Sequence, residues 1–325
     1  MRKRAELVKV ILVGAALLAA VGPGLVAPRL AGAPRVRTSS EGGLWFIRGA
    51  RLTVGLDPAD LRLTVRAAGR EWRFLPSSAG DLTVKSGASE FPLRLADAAV
   101  KTVEPYATGY LSGIKVTLAD FKRDSPPQGG QSPSAPLDLA IQVFLGLEGR
   151  DEDLVIRVIA SDGKARVREL LFPPSPDPAS FDATVVPFMQ GMLLPKDWPR
   201  PVRLYDEISY GRGLYMPWWG HEQGAGAVLV VLETPADAGI RLSHPAGGPT
   251  RADVRWLHSL GRWSYPRAVR YAFLARGGHV ALAKRYRRYA VETGNFVSLR
   301  EKIARNPLVG NLIGSPVIHT SILYH

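Results

Sequence analysis

The sequence predicts a mainly β chain: two packed antiparallel sheets, followed by a short helical stretch. Three observations lead to that reading. Between Leu44 and Leu274, short runs alternate polar and apolar residues with a period of two, as half-buried strands do. Turn-forming clusters separate the runs, and 33 glycines and 26 prolines supply enough of them for many short strands. A helical period of apolar residues first becomes convincing after Gly277. About fifteen strands before any helix fit two sheets packed face to face. No repeat of fixed length runs through them, which argues against a propeller.

At the N-terminus, Met1-Arg2-Lys3-Arg4 through Lys9 form a basic segment ahead of the apolar run Val10 to Val21. That run has the length of a signal-peptide core and is short for a membrane span. Gly22-Pro23-Gly24 breaks it, and Ala31-Gly32-Ala33 offers a small-residue cleavage site, although Pro34 is a poor residue to follow one. Residues 1–33 are therefore expected to export the chain, as a cleaved signal peptide or as a retained N-terminal anchor. The expected location is the periplasm, the extracellular space or the outer face of the cytoplasmic membrane. Membrane contact is expected only through an uncleaved anchor.

Residues 34–276 carry the strands. Arg51 to Leu56 and Leu61 to Arg66 alternate cleanly, with Asp57-Pro58-Ala59-Asp60 as the turn between them. Ala67-Ala68-Gly69-Arg70 then turns the chain into Glu71-Trp72-Arg73-Phe74, and Lys101 to Val103 and Gly109 to Leu118 continue the series. Asp124 to Ser134, rich in Ser, Pro, Gly and Gln, can bury nothing and reads as a loop inserted at a hairpin tip. Leu137 to Leu147 and Asp153 to Ala160 read as long neighbouring strands, and Ala165 to Phe172 as another, stopped by Pro173-Pro174. Val228 to Glu233 is an uninterrupted apolar run suited to a core strand. Val254 to His258 and Ala268 to Leu274 complete the set.

Residues 277–314 read as a helical linker. His279 to Glu292 places Leu282, Tyr286 and Tyr289 on one face, with Lys284, Arg285, Arg287 and Arg288 mostly away from it. Gly294 suits the position just past its end. Ser298-Leu299-Arg300-Glu301 is a capping box that opens a second helix, which should stop before Pro307. Within 315–325, Val317 to Leu323 is apolar and β-prone, like the first buried strand of a parallel barrel.

Composition narrows the chemistry. A chain of 325 residues with 46% hydrophobic and 22% charged residues is globular, with room for one large all-β domain or two smaller ones. Its net charge is +13, and the ends matter: the first 33 residues hold five cations and one acid, so +9 remains without them. The other cations are scattered and not interleaved with aromatics, so nucleic acid is not an expected partner. Cysteine is absent, which excludes a disulfide, a thiol nucleophile and a lipid-modified cysteine. His221, His244, His258, His279, His319 and His325 lack the spacing of a metal motif, so neither a metal nor a cofactor is expected. No nucleophile elbow or phosphate-binding glycine loop occurs.

The densest aromatic cluster is Leu214 to Glu222. An indole face can pack on the apolar face of a sugar ring while its N–H stays free. Trp218, Trp219, His221 and Glu222 are accordingly the candidate substrate-binding residues. Neighbouring residues of a strand point to opposite faces, so both tryptophans reach one ligand only from a loop, which Pro217 and Gly220 suit. The alternative places one tryptophan in the core and the other at a sheet edge. Glycoside hydrolysis needs a positioned pair of carboxyl groups. Asp206, Glu207 and Glu222 flank the cluster, but they read more simply as surface or turn carboxylates, and no catalytic residue is assigned.

Several stretches together resemble one family. They are Leu61 to Trp72 (L-x-L-T-V followed by G-R-E-W), Val186 to Pro195 (V-P-F-M-Q-G-M-L-L-P) and Met216 to Gly220 (M-P-W-W-G). Tyr265-Pro266-Arg267 and the segment from Ala283 to Val317 (A-K-R-Y-R-R-Y-A … S-L-R-E-K … N-P … L-I-G-S-P-V) belong with them. Over Leu44 to His325, this resembles the N-terminal region of endo-α-N-acetylgalactosaminidase-like bacterial glycoside hydrolases. The resemblance implies a galactose-mutarotase-like antiparallel β-supersandwich leading through a helical linker into a (β/α)₈ barrel. It also implies that the family's two catalytic carboxylates belong to that barrel, so the chain is expected to be truncated at the barrel's first strand, 315–325.

The function this implies is that of a non-catalytic scaffold in an exported glycoside hydrolase, at the rim of a cleft whose partner is an oligosaccharide or glycan. The alternative is a stand-alone carbohydrate-binding or cell-envelope structural protein. A third reading, a sugar mutarotase, needs a His and a Glu paired in a sandwich groove, and the sequence nominates no such pair.

Overall fold

A computed structural model describes residues 36–123, 135–188, 191–207 and 214–316. Its strands are antiparallel and form three sheets rather than the two expected. The extra sheet comes first. Strands β1 (Arg37–Glu41), β2 (Leu44–Arg48), β3 (Leu52–Asp57), β4 (Arg62–Ala67) and β5 (Arg70–Arg73) pair in sequence order as a meander. Period-two alternation acts as expected here: Leu52, Val54 and Leu56 of β3 are buried while the residues between them are half-buried. The Asp57 carboxylate accepts the Ala59 N–H at 2.9 Å and so fixes the turn to β4.

The next strands are β6 (Leu82–Ser86), β7 (Ser89–Leu93), β8 (Val100–Ala107), β9 (Ser112–Ala119), β10 (Leu139–Glu148), β11 (Asp153–Asp162) and β12 (Ala165–Leu170). After them come β13 (Ala183–Val186), β14 (Met192–Pro195), β15 (Val202–Glu207), β16 (Trp218–Gln223) and β17 (Gly226–Leu232). Strands β18 (Ala238–His244), β19 (Arg251–Leu257) and β20 (Arg267–Leu274) complete the series. The expectation of about fifteen strands was short because several, such as β13 and β14, span only four residues. Strands β9 and β10 pair along their length, so the segment between them bridges a hairpin. Its residues 124–134, like 1–33 and Val317 to Leu323, lie outside the described residues.

Nine strands form one sheet in the order β14-β13-β16-β17-β20-β11-β10-β9-β8, and six form another in the order β15-β18-β19-β12-β6-β7. One apolar core joins all three sheets. Val143, Val158 and Val230 come from the nine-stranded sheet, Val84, Val167 and Ile240 from the six-stranded one, and Val54 and Trp72 from the meander.

Helix α1 (Gly278–Glu292) follows β20, then α2 (Leu299–Arg305) and a 3₁₀ turn, Pro307–Leu312. The capping box forms as read: Ser298 Oγ accepts the Glu301 N–H at 3.2 Å, and the Glu301 carboxylate accepts the Ser298 N–H at 2.7 Å. Helix α1 lies against the nine-stranded sheet. Its Leu282 packs with Ala227, Leu229, Val231 and Ala272 on the face away from the main core. This second cover explains why every residue of β17 is buried. Burial of Leu282 alone stabilises the arrangement by about 1.5–3 kcal/mol.

Candidate functional site

The Trp218-Trp219-Gly220-His221-Glu222 segment is strand β16, held between β13 and β17, and not the loop that stacking on a sugar requires. Alternation therefore splits its side chains between two faces. Trp219 and His221 point into the main core, both 0% exposed. Trp218 and Glu222 point towards α1. Trp218 is 5% exposed and stacks on Tyr286 with ring centroids 5.6 Å apart. Both indoles are buried, Trp219 among the residues of the main core and Trp218 beneath α1. Pro217 and Gly220 suggested a loop, but Gly220 serves a close approach. A Cβ there would stand 2.5 Å from Leu282 Cδ1 and 2.9 Å from the Val228 carbonyl oxygen.

His221 is a core residue. Its ring stacks on Phe181 at 4.2 Å, and its Nδ1 shares a 2.9 Å hydrogen bond with Thr184 Oγ1. Burial away from water pushes its pKa down from 6.5 to about 3, so it is neutral at physiological pH. Glu222, its side chain 19% exposed, holds the start of α1: its carboxylate accepts the His279 N–H and meets His279 Nδ1 at 3.2 Å. The helix lacks a side-chain cap of its own, since Gly277 precedes it, and Glu222 supplies the missing acceptor from the neighbouring strand. Gly278, at φ +52, leaves room for that carboxylate, because a Cβ would lie 2.9 Å from Glu222 Oε1.

The buried acids are likewise committed to structure. Glu152 accepts from the N–H groups of Ala50, Arg51 and Leu52, and Asp253 from Ser175 N–H and the Arg251 guanidinium. Asp153 receives Arg270 at 3.2 Å and also Arg285 of α1. Burial pushes its carboxyl pKa up despite those two cations. Arg270 also donates to Glu233 at 2.6 Å and to Glu148, and these acids outweigh its burial and keep its pKa raised. Asp206 and Glu207 fall on β15, where only their backbone register is described, opposite Ile240 and Gly239.

Within the aromatic stretch, the ring left open is Tyr215, 63% exposed. A second exposed feature went unread in the sequence. Lys164, Arg166 and Arg168 recur at every second position, the spacing that turns side chains to one face of a strand. They line a cleft with Lys85, Gly87 and Gly261.

No protein-family description matches the chain, and no curated protein matches it. Solved structures do. The ligand-free α-N-acetylgalactosaminidase NagBb of Bifidobacterium bifidum superposes with a TM-score of 0.67 and 28% identity, over 85% of this chain and 42% of that one. Its complex with Gal-NHAc-DNJ gives a TM-score of 0.69 at 28% identity, over 82% and 42% of the two chains. Its complex with GalNAc gives 0.67, with the same identity and shares as the ligand-free enzyme. The chain thus spans less than half the length of the enzyme it matches. Its three sheets form a mainly β sandwich of glycoside-hydrolase-like fold.

Proposed function

We propose that these sheets are the non-catalytic β-sandwich portion of an exported glycoside hydrolase, acting as the scaffold on which a catalytic domain is built. One observation carries the reading: at 28% identity, 85% of the chain follows 42% of an α-N-acetylgalactosaminidase. The side-chain chemistry supports it, since the buried acids described above are bound to arginines or backbone N–H groups, leaving none poised as an acid–base pair. Further support comes from α2 and the turn after it, where Leu299, Leu308, Leu312 and Ile313 are 49–72% exposed, an apolar surface suited to a neighbouring domain. The glycan partner is an N-acetylgalactosamine-containing saccharide, which reaches this portion at Tyr215 and not at the buried tryptophans.

Two assays test the proposal. The 325-residue chain incubated with an aryl α-N-acetylgalactosaminide should release no aryl alcohol above buffer, and steady turnover would contradict the scaffold role. A glycan-binding measurement on Tyr215→Ala should show weaker binding than the parent chain. Unchanged binding would remove Tyr215 from the rim.

A further inference from the structure

Lys85, Lys164, Arg166 and Arg168 line a cavity of about 340 Å³, together with Gly87 and Gly261. Strand register assembles them. Arg166 of β12 lies directly opposite Lys85 of β6 on the outer face of the six-stranded sheet. Like charges placed opposite each other across a sheet are destabilising. One acid answers them: Glu90 of β7, opposite Lys85 in register, reaches Arg168 at 3.4 Å. Among the described residues, no ion pair neutralises Lys85, Lys164 or Arg166. On the meander, by contrast, Arg48–Glu41 and Arg66–Glu71 pair across neighbouring strands and Arg73–Glu71 along one strand.

Its rim is made for approach. Gly87 and Gly261, at φ +61 and +83, leave open space where a side chain would stand. His258 anchors the rim, its Nδ1 accepting the Gly261 N–H at 2.7 Å. Burial and then the positive charge of Arg168 lower its pKa. Beside it, Leu260 projects wholly into solvent at φ +48, a conformation unfavourable for a leucine.

We propose that this cleft binds a phosphate group. Two unpaired lysines and an unpaired arginine match a doubly charged tetrahedral oxyanion, which accepts several charge-assisted hydrogen bonds at once. The volume is at the lower end of the roughly 300–1,000 Å³ of ligand clefts, room for the phosphate and part of its carrier. The inference is independent of the hydrolase reading.

Titration calorimetry with inorganic phosphate, at ionic strength matched with chloride, tests it. The chain should bind phosphate saturably, and Lys85→Gln/Arg166→Gln should bind at least about tenfold more weakly, the effect of losing charge-assisted hydrogen bonds. Both substitutions are at the surface and relieve repulsion, so the variant should fold, and phosphate should raise the Tm of the parent but not of the variant. No saturable phosphate binding, or equal binding by the variant, overturns the proposal. Vesicles of phosphatidylcholine with and without phosphatidylglycerol identify the carrier. Retention only by the phosphatidylglycerol vesicles, lost in Leu260→Ser while free phosphate still binds, identifies a lipid headgroup. Phosphate binding without retention identifies a soluble phosphate.

Discussion

On the outer face of the nine-stranded sheet, Arg270 meets Glu148, Asp153 and Glu233, and Arg285 reaches the same Asp153 from α1. On the outer face of the six-stranded sheet, Arg166 and Lys85 stand opposite each other, and the neighbouring acid is directed to Arg168. The first face is closed by a segment of the same chain, which brings both the apolar cover and the matching charge. On the second, among the described residues, no acid pairs with Lys85 or Arg166. A sheet face whose charges are balanced by the chain serves the fold, while one whose charges are left over is available to something outside it.

The comparison breaks most readily at Asp153. Asp153→Asn leaves Arg270 and Arg285 short of a buried counter-charge and should cost about 3–5 kcal/mol of stability by denaturant unfolding. A loss below about 1 kcal/mol, the size of a surface ion pair, would show that the network is solvated and does not hold α1 down. Next comes Leu282→Ala, which empties the contact between α1 and β17 and should cost about 2–5 kcal/mol in the same measurement.

His221 sharpens the comparison by pH. The folded imidazole is held down to about 3, whereas the unfolded one takes up a proton below about 6.5. The unfolded state then binds more protons, so stability falls as pH drops from 6.5 towards 3, by up to about 1.4 kcal/mol per pH unit. Unfolding curves of the parent chain and His221→Gln across this range should converge as the pH falls. Parallel curves would mean that water reaches the ring. Glu222→Gln keeps an acceptor at the start of α1 but removes its charge, and about 0.3–1 kcal/mol should be lost. The smallest effect has the opposite sign: Lys85→Gln relieves the repulsion from Arg166 and should raise stability by a few tenths of a kcal/mol without phosphate.

What could be read beforehand was local. Alternation placed Leu52, Val54 and Leu56 in the core, and the serine and glutamate of the capping box opened α2 where expected. What could not be read depends on partners distant in the chain. Arg285 was placed away from the apolar face of α1, and its acid, Asp153, lies 132 residues away. Trp218-Trp219 looked like a binding loop because a proline precedes the pair and a glycine follows it, yet that glycine makes room for Leu282. The cationic cleft was half legible: the spacing of Lys164, Arg166 and Arg168 was visible, but the opposition of Arg166 to Lys85 exists only in the sheet register.

The central claim is that α1 belongs to the sandwich and closes one of its faces, leaving the opposite face to a ligand. Amide hydrogen exchange on the 325-residue chain tests it most directly. If α1 is part of the sandwich, the amides of Leu282 to Ala290 exchange as slowly as those of β17 and are released with them in one opening event. Exchange of α1 within the first time points, while β17 stays protected, would make the helix a separate linker and contradict the account.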